Sequence, residues 1–336
     1  MSRARFGMWA AMILILAPLA AAQSYTVTDL GTLPGGTYSI PSGINDHGVI
    51  VGNATVSGGE YHAFLWASGL GMQDLGTLSG DSASYGQGIN NSGEVAGASY
   101  SPAGTFRAIR WTQAGGMEDL DAGTNGFALG INNLGQIVGY TDFVPGTPQA
   151  FFWTAADGAQ DLGSLGGDLS TAYGINDSGE VVGYSGLLGD NTDHAFAWTQ
   201  AGGMQDIDTL GGSTSTIAYA INASGKIVGI AVSPSGGQSA AFLWTQSHGM
   251  RILNAGPLSN AIGISAVGEI VGSVGNKPAN AFLWTASGVG ENLNSLIPPN
   301  SGWVLNQAWG INRSGQIAAV GTIGGQTHAA LLTPTN

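Results

Sequence analysis

One three-residue phrase returns seven times along this chain, and few folds can accommodate that. Gly43-Ile44-Asn45 has counterparts centred on Ile89, Ile131, Ile175, Ile221, Ile264 and Ile311, at intervals of 45, 42, 44, 46, 43 and 47 residues. A second phrase, His62-Ala63-Phe64-Leu65-Trp66, returns at Trp111, Trp153, Trp198, Trp244 and Trp284, and in the seventh unit as His328-Ala329-Ala330-Leu331-Leu332. A third, Asp74-Leu75-Gly76-Thr77-Leu78, has counterparts at Asp29, Asp119, Asp161 and Asp206 and weaker ones at Ile252 and Asn292. Self-similarity at this period marks a propeller, a solenoid or an array, because each unit buries its apolar faces only against its neighbours.

Inside each unit, short runs rich in β-branched and aromatic residues alternate with Gly, Asn, Asp and Ser, and no helical period is sustained. The pattern predicts four strands. Strand a carries the Gly-Ile-Asn phrase, and a turn such as Asn176-Asp177-Ser178-Gly179 leads to strand b, residues 180–184. Strand c ends in the Trp phrase, and a turn such as Ala201-Gly202-Gly203 leads to strand d, residues 204–210. Four strands per unit is the arithmetic of a propeller blade. The chain opens with a d strand, residues 25–33, and closes after a c strand, residues 328–332. The expected fold is therefore all-β: a seven-bladed β-propeller of four-stranded blades, closed by the N-terminal strand completing the last blade. A solenoid would instead be expected to end in polar capping repeats.

Connection lengths single out one face. The separation from each strand a Ile to the Gly or Ala of strand b is 8 in all seven units, and from each Trp to the Asp position 8 in all six. Between strands b and c the spacing runs 14, 14, 14, 15, 15, 12 and 13, and between d and a 15, 15, 12, 14, 15, 12 and 19. In an up-and-down blade these two variable connections emerge on the same side, where binding loops are expected on a rigid scaffold; relaxed solvent loops are the plainer alternative.

Residues 1–22 read as a secretory signal, with Arg3 and Arg5, an apolar run over residues 8–19 and a small-residue Ala20-Ala21-Ala22 site. The expected domains are this leader and a single propeller over residues 23–336, exported to the extracellular space, cell surface or periplasm and not inserted in a membrane. The whole chain carries 8 basic and 21 acidic residues, a net charge of −13, which opposes binding to a phosphate backbone. Nucleic acid is not expected as a partner. With no Cys there is no disulfide, thiolate nucleophile or zinc-thiolate site. No cofactor or metal motif is found, and a monomer is expected.

Site candidates come from the variable connections. Trp303, in the longest of them beside Pro298 and Pro299, is off the repeat register and is the first candidate for a ligand contact; the competing reading is that it covers the ring closure. Glu60, Tyr61, Asp142, Asp168, Asp190 and Asp193 are the further binding candidates, with Asp81 another off-register acid. His62, His194 and His328 occupy one repeat position in different units, so a ring separates them, and a structural role is expected. The repeat Asn residues are expected to satisfy their own turns, and Asp29, Asp74, Asp119, Asp161 and Asp206 to cap turns or hold strand edges. No catalytic residue is singled out: a glycosidase needs two facing carboxyl groups, and no pair stands out.

The His62–Trp66 and His194–Trp198 phrases, the second following the Gly-Ile-Asn-Asp-x-Gly-x-Val-x-Gly run of residues 174–183 and the first its near match at residues 43–52, resemble the bacterial extracellular HAF repeat family. The likeness covers essentially all of residues 23–336. It departs where the His is replaced, as at Arg107, Ala240 and Asn280, and where the last unit has Leu332 for the Trp. The resemblance implies a secreted or surface-associated bacterial repeat protein and brings no catalytic residues with it. The leading reading is a non-enzymatic binding or interaction scaffold for a glycan, a peptide or a cell-surface protein. A polysaccharide-active enzyme, glycosidase or lyase, using loop carboxylates is one alternative, and a structural matrix component without a specific ligand another.

Overall fold

The computed structural model describes residues 23–335 apart from 190–191, 209, 211–214, 234–237, 257 and 287. The leader and Asp190 thus lie outside the described residues. Among those described, 28 strands form seven four-stranded antiparallel sheets, with no helix beyond a 3-10 turn at Leu293–Ser295. The first blade is Ser39–Ile44, Ile50–Thr55, Tyr61–Ala67 and Gly71–Asp74, strands a to d in order. The seventh takes Val304–Ile311, Ile317–Ile323 and Gln326–Thr335 from the end of the chain and Ser24–Asp29 from its beginning. Ser24 pairs with Thr335 and the register continues to Asp29 opposite Ala330, so the ring closes as the offset ends predict.

Strand a of every blade lies innermost, and its composition follows from crowding near the axis. A bulge precedes each strand a Ile, as between Ala128 and Gly130, and the facing strand b Gly139 sits where a Cβ would fall 1.9 Å from the Phe127 carbonyl oxygen. The Gly of the Gly-Ile phrase serves contact with the next blade. A Cβ on Gly130 would stand 2.7 Å from the Tyr173 oxygen, too close for any side chain. The seven Ile side chains then line a narrow central channel.

The asparagines that follow those Ile residues do more than the sequence suggests. Asn45 Oδ1 accepts from the amides of His47 and Val49 at 3.0 Å each, closing its own turn. Its Nδ2 donates to the Asn90 carbonyl of the next blade at 3.0 Å. The same link runs from Asn90 to Asn132, Asn132 to Asn176, Asn176 to Asn222, Asn222 to Ser265 and, across the ring closure, Asn312 to Asn45. In the sixth blade Ser265 replaces the Asn, and among the described residues its Oγ serves its own turn, accepting from Glu269 N.

Apolar clusters fill each inter-blade interface. The residue before the Trp in one blade packs towards the Trp of the next: Leu65 with Trp111, Phe152 with Trp198, Leu243 with Trp284 and, through the closure, Leu331 with Trp66. Each large side chain so covered contributes about 1.5–3 kcal/mol. The three repeat histidines pin strand c to strand d. His62 Nδ1 lies 2.9 Å from Asp74, His194 Nδ1 2.7 Å from Asp206, and His328 Nδ1 3.0 Å from Asp29, the last across the closure. Arg107 takes this place in the second blade, reaching Asp119 and Asp81. The repeat aspartates also accept backbone amides two residues on, as Asp74 does from Gly76 at 2.8 Å.

Candidate functional site

The b–c and d–a connections open on one face, and aromatic side chains gather there. Tyr61 and Phe106 begin strand c of the first and second blades, Tyr100 ends strand b of the second, and Tyr38 precedes the first inner strand. Tyr85 and Phe127 lie four residues ahead of their strand a Ile, in the half of the strand nearer this face. Their rings touch in sequence: Tyr38 to Tyr61 at 6.0 Å between centroids, Tyr61 to Tyr85 at 6.2 Å, Tyr85 to Phe106 at 5.9 Å and Phe106 to Phe127 at 5.2 Å. Tyr100 joins at Phe106 (4.8 Å) and Tyr140 at Phe127 (6.1 Å). Tyr173 touches Tyr184 and Tyr219 at 6.1 and 5.2 Å, carrying aromatic surface into the fourth and fifth blades.

All ten rings are half-buried, which leaves part of each available to a ligand. Burial is the first cause that raises the phenol pKa of Tyr38, Tyr85, Tyr140, Tyr173 and Tyr219, with neighbouring phenols and, at Tyr85 and Tyr140, the carboxylates of Glu60 and Asp142 adding to it. These groups are neutral hydroxyls at ordinary pH. Tyr173, Tyr219 and Trp309 also line the central channel together with Gln87 and Ser42.

With this geometry in view, similarity to known proteins is informative at one level. No protein-family model and no curated protein matches the sequence. Among solved structures, TolB from Acinetobacter baumannii is 13% identical with a TM-score of 0.52, covering 87% of this chain and 65% of its own. A structure from work on two prolyl endopeptidases gives 12% identity and a TM-score of 0.59 over 92% of this chain, which spans only 51% of that one. The BP39L lectin from Burkholderia pseudomallei gives 9% identity and a TM-score of 0.51, covering 93% and 96% of the two chains. The likeness is one of fold.

The residues expected from sequence to form the site fare differently. Tyr61 is part of the aromatic arc, and Glu60, exposed beside it, acts on Tyr85 through its charge. Asp142 adjoins Tyr140 but is 9% exposed, and its Oδ2 accepts from Asn125 Nδ2 at 3.0 Å and Gly146 N at 3.3 Å. It shapes a loop of the face. Asp168 is exposed on the inner strand of the fourth blade, and Asp193 is half-buried at the start of that blade's strand c, its pKa raised by burial against the lowering pull of His194. These acids are spread over the first, third and fourth blades.

Trp303 needs a correction. It is 8% exposed and packs with Tyr25, Leu296, Ile297 and Leu305 beneath the ring closure, where Tyr25 N also donates to Leu296 O at 2.8 Å. Apolar burial at the seam holds the indole away from solvent, so it fills the closure and offers no ligand surface. Sequence reasoning missed the rest of the arc because its members sit at unequal repeat positions: Tyr85 and Phe127 four residues before the Ile, Tyr173 and Tyr219 two before it. The available signal was aromatic enrichment at strand ends bordering the variable connections. No helix among the described residues is long and apolar enough to cross a membrane, and no group of three or more His, Asp or Glu among them could hold a metal ion.

Proposed function

We propose that this chain is an exported, non-enzymatic binding propeller of the bacterial HAF-repeat type, and that its variable face holds a glycan chain laid across the aromatic arc. A run of seven touching half-buried rings over the first three blades, with the trio Tyr173, Tyr184 and Tyr219 in the fourth and fifth, carries this reading. A sugar ring has an apolar C–H face that packs on an aromatic face and hydroxyls that meet the phenols at its edge, so a row of rings suits successive sugars. The scaffold is rigid, so little loop entropy is lost on binding. The acidic balance, −13 overall, favours a neutral glycan over an anionic one.

The test is a glycan array probed with the wild-type chain beside a Tyr61→Ala/Phe106→Ala variant. Wild-type signal on neutral polysaccharides, weakened by about tenfold per ring removed, supports the reading, since tenfold corresponds to about 1.4 kcal/mol. Equal signal from both proteins, or none from either, contradicts it.

A further inference from the structure

The interface between the fourth and fifth blades departs from the covering rule of the others. Six blades place a large residue before the strand c Trp or its Leu332 equivalent: Leu65, Arg110, Phe152, Leu243, Leu283 and Leu331. The fourth places Ala197 there. Opposite it stands Trp244, which like Trp198 is half-buried, where Trp66, Trp111, Trp153 and Trp284 are buried. A cavity of about 850 Å³ opens at this point, lined by Ala197, Trp244 and Ile227 within and by Gln205, Ser224 and Glu180 around it. It lies between the a–b and c–d turns of the two blades, on the face opposite the aromatic arc.

We infer that this cavity is a second, separate binding site, and that it takes a neutral pyranose of mono- to disaccharide size. Its volume is within the range of small-molecule sites, about 300–1,000 Å³. The missing side chain leaves an indole face where the sugar's C–H face stacks. Amide, hydroxyl and carboxylate groups around that indole match the mixed donors and acceptors of a sugar rim. Glu180 is held in place for this, its Oε2 accepting from Asn176 Nδ2 at 2.6 Å. The Thr245 hydroxyl, also in the lining, has no hydrogen-bond partner among the described residues. The site stands apart from the variable face, so either can fail alone.

The experiment titrates methyl α-glucoside, methyl β-galactoside, methyl α-mannoside and, as a planar control, adenosine into 5-fluorotryptophan-labelled protein, following the Trp244 resonance assigned with Trp244→Phe. At least one hexoside is expected to shift that resonance saturably. Ala197→Leu, which gives this interface the residue used by four others, is expected to weaken that hexoside by about tenfold or more. The variant's melting temperature should be unchanged or higher and its array binding through the opposite face intact. No hexoside shift, a shift by adenosine alone, or equal affinity in the Leu variant overturns the inference; if that variant does not fold, the wild-type resonance decides.

Discussion

At the residue scale, the repeat asparagines join turn and ring in one side chain. Each Oδ1 closes a turn within its own blade, while Nδ2 reaches a carbonyl in the next. The turn half was legible from the Asn-x-x-Gly spacing; the inter-blade half was not, because which carbonyl lies beyond a turn depends on how blades are set around the axis. Asn132→Ala removes both halves from a site 4% exposed and is expected to cost about 2–4 kcal/mol in chemical denaturation. Ser265→Asn is expected to restore the seventh link and raise stability by about 1 kcal/mol. The buried phenols give a pH signature. Tyr25, Tyr38, Tyr85, Tyr140, Tyr173 and Tyr219 all have pKa values raised above 10.0, chiefly by burial. Between the unfolded and folded values the native state binds more protons, so stability falls as pH rises beyond about 10. Phenolate absorbance and loss of near-ultraviolet circular dichroism should then rise together; phenolates forming well before any loss of structure would contradict the burial described.

At the element scale, strand count and order were readable because each strand carries its own phrase and its own turn. Strand ends were less so. The outer strand of the fourth blade was expected over residues 204–210 and runs Gly203–Asp206, because Asp206 Oδ1 accepts from Asp208 N at 2.8 Å and turns the chain. The same turn ends the strand before the inner d–a connection in the other blades that retain the Asp, as at Asp161 with Gly163. The inner strands are limited instead by contact with one another. Gly130→Ala is expected to destabilise by about 2–4 kcal/mol, since its Cβ would meet a backbone oxygen at 2.7 Å that no rotamer change can move. An equal melting temperature for that variant would show that the inner strands are not packed this tightly.

At the scale of the whole molecule, seven interfaces and one closure account for the fold, and the candidate face follows from where the connections vary. The ring was legible because the chain's two ends carry complementary pieces of one blade. The binding surface was legible only as a face. Its aromatics come from different blades at different offsets, and the packing of neighbouring blades around the axis brings them together. Trp303 shows the reverse: an off-register aromatic in a long loop is drawn into the seam when the closing strand supplies an apolar wall. The most direct test of the closed ring uses the absence of Cys in the chain. Thr26 and Thr333 face each other in the closing pair, so Thr26→Cys/Thr333→Cys places two thiols within disulfide reach. A ring closed by the first strand predicts near-complete intramolecular cross-linking under mild oxidation and a higher melting temperature for the oxidised form. Two thiols that stay free, or that cross-link only between molecules, would mean that these ends do not meet and that the blades do not form a circle.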